Sequence, residues 1–249
     1  MATKRTGNIM YQVSLLQALT LGDYCGSVPV RVLRTKGDTG LGTFDRLNGE
    51  MIMLDGKVYR ADSEGRAAEV SDDETTPFAI VTYFDEEEKA VLKNVRDLNG
   101  LISQLDEMYT GEHGNYFQVV KVIGIFDGMK VRSVPAQKEP YRPLAEVMEA
   151  EQRFFSYEDI PGTAIGVYCP VYMGSMNFAG WHFHFISDDS SRGGHVLDLS
   201  FKEGELQWTA ASAVNVDLPE GGLFRSCDFS IDQSDDVRRV ESIHPDPNP

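Results

Sequence analysis

Short runs rich in apolar residues, some alternating with polar ones and bounded by turn-forming residues, recur along this chain and read as strands. Leu41-Gly42-Thr43-Phe44, Glu50-Met51-Ile52-Met53-Leu54 and Lys57-Val58-Tyr59-Arg60 are the first such runs. Between the last two stands Asp55-Gly56, a pair that favours a two-residue hairpin turn. A further strand is expected at 77–84, after a polar loop carrying Asp72, Asp73 and Glu74, and the acidic run 85–88 reads as solvated turn. Segments 116–126 and 130–134 read as a hairpin turning at Asp127-Gly128. The pattern then predicts strands at 163–168, 181–186, 195–200, 206–210 and 213–218.

Three helices interrupt the strands. Ser14 is a cap for a short helix carrying Leu15, Leu16 and Leu19 and ending at Gly22. Asn94 caps a second, with Asp97 at its third position, an apolar stripe at Leu98, Leu101, Ile102, Leu105 and Met108, and Gly111 at its end. The third has Pro143 in its first turn and carries Leu144, Val147 and Met148. Pro140 and Pro143 favour extended backbone and mark a boundary between an N-terminal α+β domain, 1–140, and a C-terminal α+β domain, 141–249. Each half reads as a helix plus several strands, although no repeat is visible residue by residue.

The alternation acquires chemical content at Trp181-His182-Phe183-His184-Phe185-Ile186. On a strand His182 and His184 share one face and the aromatic residues the other. The turn-rich stretch from Ser187 to Gly194 then brings His195 back beside them, so that three of the five histidines converge. Three neutral imidazoles make a site for a divalent cation with one position open to water or substrate, which suits catalysis; a structural zinc normally takes four protein ligands. Spacing alone leaves zinc, iron, nickel and manganese open, and a cupin-like metal oxygenase also uses His-x-His on a strand. His113, in a Gly-Glu-His-Gly loop, reads as an exposed non-ligand, and His244, in a proline-rich end, as mobile.

Charge narrows the partners. The 249 residues carry 23 Lys and Arg against 39 Asp and Glu, a net charge of −16, with no basic stripe to meet nucleic acid or an anionic membrane. The apolar runs fall far short of the ~20 residues that span a bilayer, and Leu15 to Leu21 suits a helix better than a signal peptide, so a cytoplasmic protein is expected. Cys25, Cys169 and Cys227 are too few and too scattered for a disulfide framework.

Gly40-Leu41-Gly42-Thr43-Phe44, Leu47-Asn48-Gly49-Glu50, Arg132-Ser133-Val134, Tyr141-Arg142-Pro143, His182-Phe183-His184-Phe185-Ile186, Gly193-Gly194-His195-Val196-Leu197-Asp198 and Glu241 together make the sequence resemble the α-acetolactate decarboxylases. The resemblance implies conversion of (S)-2-acetolactate to (R)-acetoin and carbon dioxide. It also implies one zinc ion per chain on His182, His184 and His195, and a C-terminal tail folded back over the site. The implied fold has two mixed β-sheet domains of related β-α-β4 motifs, in a homodimer across which the sheet can continue. Losing carbon dioxide from a β-keto acid leaves an enediolate, so the chemistry needs an electrophile at the two oxygens and an acid to protonate carbon. By resemblance Arg132 orients the carboxylate, Glu50 and Glu241 are acid/base groups with Glu241 also a metal contact, and Thr43 lines the pocket or bonds the substrate. The rivals are the oxygenase and a non-enzymatic metal-binding module.

Overall fold

The structure, a computed structural model, describes residues 8–230. Its strands are β1 (Asn8–Val13), β2 (Val28–Pro29), β3 (Thr39–Thr43), β4 (Glu50–Leu54), β5 (Lys57–Ala61), β6 (Ala67–Glu69), β7 (Thr75–Thr76), β8 (Ala79–Thr82), β9 (Glu88–Val95), β10 (Phe117–Ser133), β11 (Arg153–Cys169), β12 (Gly180–Ser187) and β13 (Gly193–Asp217). The α-helices are α1 (Leu16–Thr20), α2 (Val30–Leu33), α3 (Leu98–Leu105), α4 (Gly111–His113) and α5 (Leu144–Glu151).

Apart from the small β2–β7 ribbon, these strands form one sheet in the order β10-β11-β12-β13-β1-β8-β3-β4-β5-β6, with β9 alongside β13. The sheet is mixed, because β1 runs parallel to β13 whereas its pairing with β8 is antiparallel. β10 pairs with β13 as well as with β11, so β10, β11, β12 and β13 close into a ring.

Several elements depart from the sequence pattern, each for a pairing reason. The hairpin expected at Asp127-Gly128 is absent, and β10 runs straight through it for 17 residues. Gly128 is opposite Glu158 on β11 and Ser200 on β13, so the flanking segments find partners on both sides and do not fold onto each other. Asp55-Gly56 does turn, with Leu54 opposite Lys57. The three strands expected between 195 and 218 are one strand of 25 residues, β13, which changes partners along its length.

The helix starts shift too. Leu15, not Ser14, precedes α1. Asn94 lies within β9, and Asp97 caps α3, its carboxylate accepting from the Gly100 N–H at 2.7 Å. Beyond Leu105 the helix widens into a π turn, Asp106–Thr110, and continues through Gly111 as α4. α5 follows Pro143 and buries Leu144, Val147 and Met148 as expected.

The core lies on both faces of the ring. Trp181, Phe183 and Phe185 pack with Phe126, Phe201 and the Leu98, Leu101 and Leu105 stripe of α3. Ile165, Val167 and Ile186 on the other face meet Leu41, Ile52 and Ile80 of the N-terminal strands. The three cysteines are free, and among the described residues no helix is long and apolar enough to cross a membrane.

Candidate active site

Cross-strand register builds the polar floor of a buried pocket. His184 on β12 stands opposite His195 on β13, and His195 stands opposite Arg132 on β10. Residues opposite one another in a ladder share a face, so these side chains form a row across three adjacent strands. His182, two positions from His184, joins that face while the intervening aromatic rings point into the core, as the alternation requires. Gly194 lets the row close. Its φ is +150°, and a Cβ there would stand 2.8 Å from the Arg132 carbonyl oxygen, so only glycine allows β13 to approach β10 just before His195.

The N-terminal strands supply the facing groups. Thr43 on β3 is opposite Glu50 on β4, and both are buried. The Thr43 hydroxyl donates to the Gly49 carbonyl at 2.8 Å, fixing the turn that leads into Glu50. Glu50 Oε2 lies 3.5 Å from His184 Nε2. The next carbonyl, of Met51, is 2.8 Å from His184 Nδ1. A carbonyl can only accept, so Nδ1 carries the proton and Nε2 keeps its lone pair.

These residues fit a metal ion. His182 Nε2 is 3.1 Å from His184 Nε2 and 2.9 Å from His195 Nδ1, and one ligand atom from each of the three rings falls within 4.8 Å of the others. Tetrahedral coordination at a typical Zn–N length separates ligand nitrogens by ~3.3 Å. Burial, then the Arg132 charge, pulls the His182 imidazole down to about 3. Burial first and neighbouring positive charge second also hold His184 and His195 well below the ordinary histidine value. All three rings are therefore neutral at physiological pH, the state in which they ligate.

Arg132 is 2% exposed. Its Nη2 is 3.3 Å from His195 Nε2, and its Nη1 donates to Gln152 Oε1 at 3.4 Å. The remaining wall of the cavity is apolar and includes Leu16 and Leu19 of α1, Phe78, and Leu144 and Met148 of α5. The sequence pattern locates both helices but says nothing of this role or of Gln152, because both depend on how α5 sits against β10. The structure thus brings Thr43, Glu50, Arg132, His182, His184 and His195 to one cavity. Glu241 and His244 lie outside the described residues. His113 is half-buried with its ring centroid 5.1 Å from that of Trp208, and is not one of the three clustered histidines.

Fold and site together define an α+β enzyme with a buried three-histidine centre. A protein from Methanosarcina mazei named alpha-acetolactate decarboxylase is 41% identical over 96% of this chain and 82% of its own length. One of the same name from Brevibacillus brevis is 39% identical over 94% and 81%. The crystal structure of alpha-acetolactate decarboxylase from Bacillus subtilis superimposes with a TM-score of 0.90 at 28% identity, covering 94% of this chain and 99% of that one. The sequence model of the alpha-acetolactate decarboxylase family matches residues 10–231. The chain belongs to that family, and so to the carboxy-lyases.

Proposed function

We propose that this chain decarboxylates (S)-2-acetolactate to (R)-acetoin and carbon dioxide in the pocket above. The row of His184, His195 and Arg132 carries the reading, because it sets a cation site beside a guanidinium, as an α-hydroxy-β-keto carboxylate requires. Arg132 receives the carboxylate through two parallel N–H donors. His182, His184 and His195 would hold one zinc ion per chain, which would supply Lewis-acid polarisation of the substrate oxygens. The bond from C1 to C2 then breaks, its electron pair remains as an enediolate, and carbon dioxide leaves. Glu50 approaches from the N-terminal strands and delivers the proton to one face of C2, which sets the hand of the product. Thr43 holds Glu50 in place, and Glu241 is a second acid/base group and a further contact to the cation.

The same reading takes the protein as a cytoplasmic homodimer whose parts, 1–140 and 141–249, follow related β-α-β4 plans. Sedimentation of the purified protein checks the dimer. Anaerobic incubation with racemic acetolactate, scored for acetoin before and after chelation, tests the function. Acetoin formed without oxygen and lost on chelation supports it; no acetoin, or product only when oxygen is supplied, sinks it. Truncation after Arg239 is expected to lower turnover much more than thermal stability, and unchanged turnover would show Glu241 to be dispensable.

A further inference from the structure

The pocket is divided by chemistry, and the division constrains how a substrate lies in it. An α-hydroxy-β-keto acid has three polar groups: carboxylate, hydroxyl and ketone. Arg132, the three imidazoles and Glu50 lie on the polar side and match them. The two groups left are alkyl: the substituent on C2 and the terminal carbon, C4. Both must therefore face the wall of Leu16, Leu19, Phe78, Leu144 and Met148.

Arg132 fixes which alkyl group meets which part of that wall. Gln152, directly after α5, accepts from Arg132 Nη1, so this end of α5 stands on the carboxylate side. Met148 is one turn before Gln152, its carbonyl accepts the Gln152 N–H at 3.3 Å, and its side chain lines the cavity. The C2 substituent is bonded to the carbon that bears the carboxylate, whereas C4 is two bonds from that carbon. The substituent nearest Met148 is thus the one on C2.

We infer that Met148 determines how large a C2 substituent the enzyme accepts, and so sets its preference between acetolactate and its C2-ethyl homologue. Methionine is unbranched and 9% exposed here, a side chain that closes a pocket by filling it. An added methylene in an apolar pocket changes relative kcat/KM by roughly 10- to 200-fold, so one side chain suffices. This inference rests on the decarboxylase reading.

Two isomeric substrates test it: 2-ethyl-2-hydroxy-3-oxobutanoate, enlarged at C2, and 2-hydroxy-2-methyl-3-oxopentanoate, enlarged at C4. Carbon dioxide release gives kcat/KM for each relative to acetolactate. Met148→Ala is expected to raise the relative value for the C2-ethyl compound by roughly 10-fold and that for the C4 isomer by much less. Leu19→Ala opens the same wall from α1 and not from the end of α5 that leads to Gln152, and is not expected to favour the C2 isomer. Should Met148→Ala fail to fold, Met148→Val removes less volume and shifts the ratio in the same direction by a smaller factor. Equal gains for the two isomers, no gain, or the larger C2 gain in Leu19→Ala overturns the assignment while the decarboxylase reading stands. An unaltered protein that releases no carbon dioxide from acetolactate removes both.

Discussion

His184 is held at both nitrogens: Nδ1 by the Met51 carbonyl and Nε2 among the other imidazoles. Losing it removes one of the three proposed histidine ligands. His184→Ala is therefore expected to drop metal content from about one ion per chain to a small fraction, read by elemental analysis, with most activity lost. Full occupancy in that variant would refute the ligand set. Protons compete for the same lone pairs. Each imidazole titrates lower in the folded protein than in the unfolded chain, so between the ordinary value of 6.5 and about 3 for His182 the unfolded chain binds protons that the folded one refuses. Stability of the metal-free protein consequently falls as pH drops through that window, and these groups make no such change above it. Urea midpoints at about pH 8 and pH 5 check the sign. Arg132→Lys keeps the charge but not the planar fork; kcat/KM is expected to fall by ~10-fold or more with metal content intact. At this scale much was legible, because strict alternation with aromatic residues put His182 and His184 on one face. Gln152 and Met148 carried no such mark, since the groups that give them a role, Arg132 on β10 and the cavity wall from α1, are remote in sequence.

Elements were legible where local chemistry decides and illegible where partners do. Asp55-Gly56 turns as its dipeptide dictates, whereas Asp127-Gly128, the same pair, lies mid-strand because β11 and β13 flank it. The cap of α3 moved from Asn94 to Asp97 because β9 remains paired to β13 as far as Val95. Asp97→Ala is expected to cost about 1 kcal/mol of stability by chemical denaturation, with activity unaltered. A larger loss is expected on β11, where Gly166 is covered by Phe183, the residue between His182 and His184. A Cβ at 166 would come within 2.2 Å of the Phe183 ring. Gly166→Ala is expected to destabilise by about 1–3 kcal/mol, and to weaken metal retention because the displaced ring drags β12 with it. Unchanged stability and metal content would show that the ring moves aside freely.

For the whole molecule, an ion bound at the three histidines favours the folded state, the one in which they converge. Zinc at 100 times its dissociation constant is expected to add ~2.7 kcal/mol to unfolding, visible as a higher Tm that a chelator reverses. The path of β13 matters in a different setting. β1 lies parallel to its far end, with Val13 opposite Asp217, and Tyr11 donates a hydrogen bond to the Asp217 carboxylate. A ribosome adds ~5–20 residues per second, so β1 emerges at least several seconds before that partner has been synthesised. Its partner β8 is synthesised early, yet the partner of its other edge is complete only when translation has passed residue 217. During that interval the nascent chain presents an unpaired strand edge, the feature on which neighbouring chains join by mistake.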